Sequence, residues 1–478
     1  MASCMWFGQA LLPDGWARDV RIGIADGRIA RIEADAPPAA GEARYATAVA
    51  GMPNLHSHAF QRLMAGYAEA RSGPAGDDFW SWRDLMYRLV GAIAPDDLAG
   101  IAAMAFCEML EGGFTRVGEF HYLHHAPGGT PFADAAEMAA AVASAAEATG
   151  IALTLLPVFY AYSGFGAQPP QEMQRRFVTD LDGYARLHAA SVRACSTLPD
   201  AVVGVAPHSL RAVAPGQLGA LASLAPGAPI HIHIAEQRRE VADCVAWSGR
   251  RPVEWLLEAQ SVDARWCLVH ATHVTPAERD AIAAAGAVVG LCPVTEANLG
   301  DGIFPAEEFV AAGGRIGIGT DSNVRIDAAE ELRTLEYGQR LTRERRTVLA
   351  SGHRSTGRLL VEEAMAGGRA ALGAGGRAAL GAGGRAALGA GGRAALGAGG
   401  RAALGAGGRI AVGESADLVA LRAVPCDAGD RALDAWVFAR GSVDRVWRRG
   451  VEVVANGRHH DRDAIATRFD SIVRRLLA

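Results

Sequence analysis

Apolar and polar positions follow two different patterns along this chain. Near both ends, short apolar runs alternate with polar residues and break at tight turns. VRIGIADGRIARIE (20–33) has a DG turn between two alternating stretches, the mark of antiparallel strands. Residues from about 410 to 455 read alike, as RIAVGESADLVAL and then AWVFARGSVDRVWRRGVEVV. The two segments are expected to build one satellite β domain from opposite chain ends.

Between them the pattern changes. Eight short apolar runs each end in polar or histidine residues: ATAVAGMPNLHSH, TRVGEFHY, ALTLLPVFY, VVGVAPHS, PIHIHIAE, CLVHATH, AVVGLCPVTEAN and RIGIGTDSN. The stretches between them, such as AEMAAAVASAAEATG and PAERDAIAAAG, have helical spacing. Eight β–α alternations predict an α/β chain folded as a closed parallel (β/α)8 barrel of the TIM-like kind. Such barrels carry their chemistry at the C-terminal ends of the strands. Here the polar residues crowd those ends, which packing alone does not require.

One tract departs from the alternation. GGRAALGA repeats five times in tandem from Gly367 to Ala406. Three glycines per copy disfavour a helix by roughly 1 kcal/mol each, and a leucine every eight residues drifts off the 3.6 period. The tract is expected to be loop-like or only partly helical. The chain then divides into 1–50 (first part of the β domain), 51–366 (catalytic barrel), 367–406 (repeat) and 407–478 (second part of the β domain and a terminal helix).

Composition narrows the function. A net charge of −5 gives no basic footprint for nucleic acid. No stretch approaches the roughly 20 apolar residues of a membrane span, and the N-terminus lacks the pattern of a signal peptide. Seven scattered cysteines without a CxxC read as reduced thiols, so a cytoplasmic location is expected. All 47 basic residues are arginine. That excludes a Walker-A phosphate loop, Schiff-base chemistry and any lysine-derived metal bridge.

The candidate chemistry gathers at four strand ends. In GMPNLHSHAFQR (51–62), His56 and His58 lie two apart and point to one face of a strand. In PIHIHIAEQ, His231 and His233 share a face, with His233 nearer the C-terminal end and Glu236 just beyond. His270 ends the sixth run and Asp321 the eighth. Any one of these histidines alone is better read as a core or capping residue. Together at the correct ends of strands 1, 5, 6 and 8 they point to one divalent ion. Three imidazoles and a carboxylate suit zinc, with iron as the alternative. Glu236 would stand beside the metal, free to shuttle protons, and His231 is expected to pack or support.

These residues resemble the amidohydrolase superfamily, through His56-x-His58, His233, His270 and Asp321 at those strands. The resemblance implies a (β/α)8 barrel with a β-sandwich made from both chain ends. It implies the mononuclear deaminase branch, whose HxxE motif matches His233 to Glu236. It makes His56, His58, His233 and Asp321 the metal ligands, Asp321 also the base, and His270 a non-ligand that orients the attacking water. Within that branch, MPNLHSHAFQR, FWSWRDLMYR, GEFHYLHH, APHSLRAV, HIHIAEQ and GTDSNVRIDAAEELRTLEYGQR are similar to the formimidoylglutamate deiminases of histidine degradation. The similarity breaks only at the repeat. The implied substrate, N-formimidoyl-L-glutamate, has two carboxylates, which call for arginine forks. Arg211 and Arg83 lie in loops at the barrel mouth, and Gln61, Tyr122 and His208 are further binding candidates. Arg325 is expected to pair with Asp327 or Glu330 instead. The partners expected are this small molecule and a second copy of the chain in a homodimer, with no nucleic acid or membrane. The rival readings are a deaminase acting on a purine, pyrimidine or triazine ring, and a binding protein that kept the barrel without turnover.

Overall fold

The chain is described as a computed structural model covering residues 3–69, 79–352, 354–373, 409–425 and 427–477. Strands from the two chain ends form one eight-stranded sheet. The halves meet where Leu418–Arg422 pairs antiparallel with Arg44–Ala50. Its own core gathers Phe7, Val20, Ile22, Ile29, Leu418 and Trp447. This is the satellite domain expected from both ends.

The run ATAVAGMPNLHSH reads as one strand but serves two sheets. Arg44–Ala50 belongs to the terminal sheet and Met52–Ser57 to the barrel. Gly51 sits at the break, where a Cβ would lie 2.2 Å from Thr115 Cγ2. Only glycine fits that approach.

Eight barrel strands follow in the predicted order. Strand 1 is Met52–Ser57, strand 2 Phe114–His121 and strand 3 Ala152–Phe159. Strand 4 is interrupted, as Val202–Val203 and Ala206–Pro207. Strand 5 is Ile230–Ile234, strand 6 Trp266–His270, strand 7 Val288–Leu291 and strand 8 Arg315–Ile318. Strands 1 to 4 pair in parallel, as do strands 5 to 8. Parallel bridges Val205–Ile230 and Ser57–Asp321 close the ring. The helices between obey their end signals. Thr275 and Glu278 form a capping box that starts Pro276–Ala285, and Gly286 at φ +72° ends it.

The helix before the repeat continues into it. Thr356–Ala371 includes the first five residues of the first GGRAALGA copy. A Cβ on Gly367 would fall 1.9 Å from the Ile316 carbonyl oxygen, so glycine lets this helix press on strand 8. Ala371 and Leu372 are buried with Leu55, Cys267, Val269 and Val288 in the floor of the barrel. Thr154 Oγ1 donates to the Leu372 carbonyl at 3.0 Å. The boundary expected at 366 therefore moves to about 373, because these glycines are a packing surface rather than a helix end. Copies two to five lie outside the described residues.

Gly367→Ala is expected to destabilise the fold by about 1–3 kcal/mol, the usual cost of overpacking. Gly216→Ala, in a helix with nothing within 4 Å of the added Cβ, serves as the control and should hold or gain stability. Urea unfolding of both variants checks the contrast.

Candidate metal centre

Strand periodicity and barrel closure bring the histidines together. His56 and His58 share the inward face of strand 1, the second just past its end. Strand 8 closes on strand 1 through the Thr320 and Asp321 amides, which both donate to the His56 carbonyl at 3.1 and 3.0 Å. The His58 amide donates back to the Asp321 carbonyl at 2.9 Å. Asp321 and Asn323 take positive φ, +44° and +57°. Such backbone is uncommon outside glycine, although Asp and Asn tolerate it best. Asn323 Nδ2 contacts Ser57 Oγ, the His58 carbonyl and the Asp321 carbonyl at 3.0–3.1 Å.

The result is a four-donor cluster of His56, His58, His233 and Asp321, all buried. His56 Nε2 lies 3.2 Å from His58 Nε2 and 3.0 Å from His233 Nε2. Asp321 Oδ1 is 3.3 Å from His58 Nε2 and 3.5 Å from His56 Nε2. His58 Nδ1–H donates to the Phe120 carbonyl at 2.9 Å, and His233 Nδ1–H to the His208 carbonyl at 3.0 Å. Both rings therefore turn an unprotonated Nε2 inward, the arrangement of a metal-ligating histidine. One proton on His56 Nε2 could serve only one of these acceptors. A single divalent cation serves all four donors, so the residues fit a metal ion.

Electrostatics support the same arrangement. Burial pushes His56 down to about 3 and also lowers His58 and His233. All three imidazoles are neutral and ready to bind. Burial alone would raise Asp321, but His56, His58 and His270 hold it below the usual carboxylate range.

His270 and Glu236 sit beside the cluster without joining it. His270 Nδ1 lies 3.2 Å from Glu296 Oε1, and its Nε2 lies 3.8 Å from Glu236 and 3.9 Å from Asp321. Burial would lower this imidazole, but Glu236, Glu296 and Asp321 outweigh it and raise it to about 10. Burial raises Glu236 to about 7, with His270 and Arg211 restraining the rise. Its turn is clasped by Glu240, which accepts from the Ala235 and Glu236 amides at 3.2 and 3.0 Å.

The binding candidates ring the mouth, and Arg83, expected in a loop, lies instead on the helix Phe79–Val90 that the long segment after strand 1 forms. Gln61 Nε2 donates to the Tyr122 hydroxyl at 3.0 Å. His208 meets Tyr122 and Tyr160 edge to face, with centroids 5.6 and 4.8 Å away. Arg83 and Arg211 approach the Trp80 ring at 4.5 and 5.8 Å, as does Arg239 at 4.6 Å. The Nε atoms of Arg83 and Arg211 are buried with no hydrogen-bond partner among the described residues. His231 lies away from the cluster, its Nε2 2.8 Å from the Ala371 carbonyl in the floor. Arg325 pairs with Glu330. Glu240, Glu296, Asn323, Trp80 and Arg239 were not foreseen. Asn323 stands two residues from Asp321, a signal that was available; the others carry none locally.

The chain belongs to the amidohydrolase family, whose profile matches residues 47–364. Residues 3–46 match the profile described as formimidoylglutamate deiminase HutF, N-terminal domain. The chain is 46% identical to the formimidoylglutamate deiminase of Pseudomonas aeruginosa, over 99% of this chain and 100% of that one. It is 29% identical to a 5-methylthioadenosine/S-adenosylhomocysteine deaminase of Natronomonas pharaonis, over 77% of this chain and 78% of that one. Among solved structures, an amidohydrolase from Brucella melitensis superposes with a TM-score of 0.90 at 49% identity, covering 100% of both chains. A zinc-bound adenosine deaminase from Xanthomonas campestris shares the fold, with a TM-score of 0.76 at 23% identity over 99% of this chain and 98% of that one. Among the described residues, no helix is long and apolar enough to cross a membrane.

Two measurements test how the cluster is held. Asn323→Gly keeps the positive φ and deletes the amide, so metal affinity in chelator competition should fall about 10–100-fold, the usual cost of removing such a support. Glu119, on strand 2 beside Ser57, accepts from the Ala59 amide at 2.7 Å and is raised by burial to about 8. The folded state then keeps a proton that the unfolded chain releases near its ordinary pKa of 4.5. Stability conferred by that proton is full at low pH and is lost as pH rises to about 8. Glu119→Gln removes this loss, so its melting temperature should decline less between about pH 5 and 8 than that of the parent protein.

Proposed function

We propose that this protein hydrolyses N-formimidoyl-L-glutamate to N-formyl-L-glutamate and ammonia, in cytoplasmic histidine degradation, using one zinc ion. The observation that carries the reading is the meeting of two features in one barrel mouth. A four-donor cluster flanked by Glu236 and His270 shares the barrel mouth with two guanidiniums, Arg83 and Arg211, whose buried Nε atoms have no hydrogen-bond partner among the described residues. A small amidine with two carboxylates matches that set. The 46% identity to a formimidoylglutamate deiminase along the whole chain supports the same substrate. The ring-directed relatives match at 29% identity or less and over shorter spans.

His56, His58, His233 and Asp321 would hold the ion, which supplies Lewis acidity and brings the pKa of a bound water toward about 7. Arg83 and Arg211 take the carboxylates as bidentate partners, with Gln61, Tyr122 and His208 adding hydrogen bonds. Asp321, ionised, accepts a proton from the attacking water. Glu236, whose pKa burial raises toward its acid form, donates to the imine nitrogen as charge builds there. His270, held positive by its three carboxylates, stabilises the developing negative charge on oxygen. Asp321 passes its proton to the same nitrogen, which leaves as ammonia, and the carbinol hydroxyl gives its proton to Glu236, restoring the acid. The carbon exchanges its C=N bond for C=O, so water is consumed and atoms balance.

The test is ammonia release by zinc-loaded protein from N-formimidoyl-L-glutamate, N-formimidoyl-L-aspartate and guanine. Turnover of the first, with the others far slower, is expected. Faster release from guanine would favour the ring-deaminase reading. Glu236→Gln should keep its metal and lose about 10²–10⁴ in kcat; full activity in that variant would overturn its role.

A further inference from the structure

A second donor group stands against the first. His270, Cys292 and Asp321 place one nitrogen, one sulfur and one carboxylate oxygen within 4.8 Å of one another. All three are buried. Cys292 follows strand 7 directly and starts the helix Pro293–Leu299, so its position is set by strand and helix together.

Two independent details turn this proximity into a site. The first is how Asp321 divides its carboxylate. Oδ1 faces His56 and His58, whereas Oδ2 faces His270. A carboxylate with one oxygen toward each donor group has the geometry of a bridge between two ions. The second is Glu296. Its Oε1 lies 3.2 Å from His270 Nδ1 and accepts the Cys292 amide at 2.9 Å. One carboxylate therefore engages the far nitrogen of the His270 ring and fixes the backbone at Cys292, leaving His270 Nε2 and the Cys292 thiol as the groups to offer an ion. Metal-bound histidines are commonly held in this way through the far ring nitrogen.

We propose that His270, Cys292 and Asp321 form a second cation site, selective for thiophilic divalent ions such as zinc or cadmium, whose filling stops turnover. The proposal rests on the reading that the first cluster holds the catalytic ion. The second site fills after the first, because it has three protein donors, one of them shared, against four. Thiolate and imidazole favour zinc and cadmium over magnesium or calcium, and on coordination the Cys292 thiol and the His270 imidazolium each release a proton to solvent. An ion here occupies His270 Nε2 and Asp321 Oδ2, the two groups that the reaction needs free. Inhibition by excess zinc follows directly.

Equilibrium dialysis of the full chain against zinc and cadmium should show two equivalents, the second weaker, with ammonia release falling as the second binds. In the cobalt-substituted protein, thiolate-to-cobalt charge-transfer absorption should appear only with the second equivalent. Cys292→Ala should keep basal turnover with one equivalent, lose that absorption, and require at least about tenfold more zinc for inhibition. A wild-type protein that binds one equivalent only, or a second equivalent without thiolate absorption, would overturn the proposal. Should Cys292→Ala fail to fold, the wild-type cobalt spectrum decides alone. A thiolate band in a protein inactive on N-formimidoyl-L-glutamate at every metal loading would refute the proposed function while leaving this site standing.

Discussion

The seam between strands 8 and 1 is the contact on which the rest of this molecule depends. The His-x-His pair and Asp321 lie more than half the chain apart, and they meet only because the barrel closes there. A sheet that stayed open would leave each half of the cluster at a free edge. Closure demands close backbone approach. Gly319 permits it, since a Cβ there would stand 2.7 Å from the His56 carbonyl oxygen. Asn54 and Thr320 then lock the seam from below, as Asn54 donates to Thr320 Oγ1 at 2.7 Å and accepts the Thr320 amide at 3.1 Å. The metal donors are placed by the same hydrogen bonds that complete the fold. Stability and metal geometry are therefore coupled at this seam.

The floor of the barrel solves a related packing problem. The interior of a closed parallel barrel must be filled by side chains in layers. Here part of that filling comes from outside the eight strands. Leu372 and Ala371 enter beneath Leu55, and Gly367 and Gly368 bring their helix close enough to reach. His231, one layer below His233, meets the Ala371 carbonyl rather than the four-donor cluster. Two histidines on one strand face thus do different work because they sit at different depths.

The sequence made the eight strands and the four donors legible for one reason. Parallel barrel strands are short apolar runs, and their functional residues sit at one end, so alternation and polarity change coincide. The run 46–58 misleads because a strand of the terminal sheet leads straight into a strand of the barrel, with only Gly51 between them. The opening of the repeat was harder to read. Its glycines argue against a helix on propensity, yet tertiary contact with strand 8 favours them where any larger residue would clash. Glu296, Trp80 and Cys292 had no local pattern to announce them. Their roles arise from side chains that meet across loops, and no period in the chain encodes such meetings.

The deepest constraint on this site is that burial alone does not decide a histidine's charge. His56, His58, His233 and His270 are all buried within one cluster of rings. Three of them are neutral, because burial penalises the cation and one ionised carboxylate cannot offset it three times. His270 is charged, because Glu236, Glu296 and Asp321 surround it and their combined attraction exceeds the same burial penalty. Glu236 gives the largest of these attractions, and Glu296 adds a hydrogen-bonding carboxylate on the Nδ1 side of the ring. A site that must bind a cation and also stabilise an anion needs both kinds of imidazole within a few ångströms. The distribution of carboxylates around the rings, rather than the rings themselves, supplies that separation.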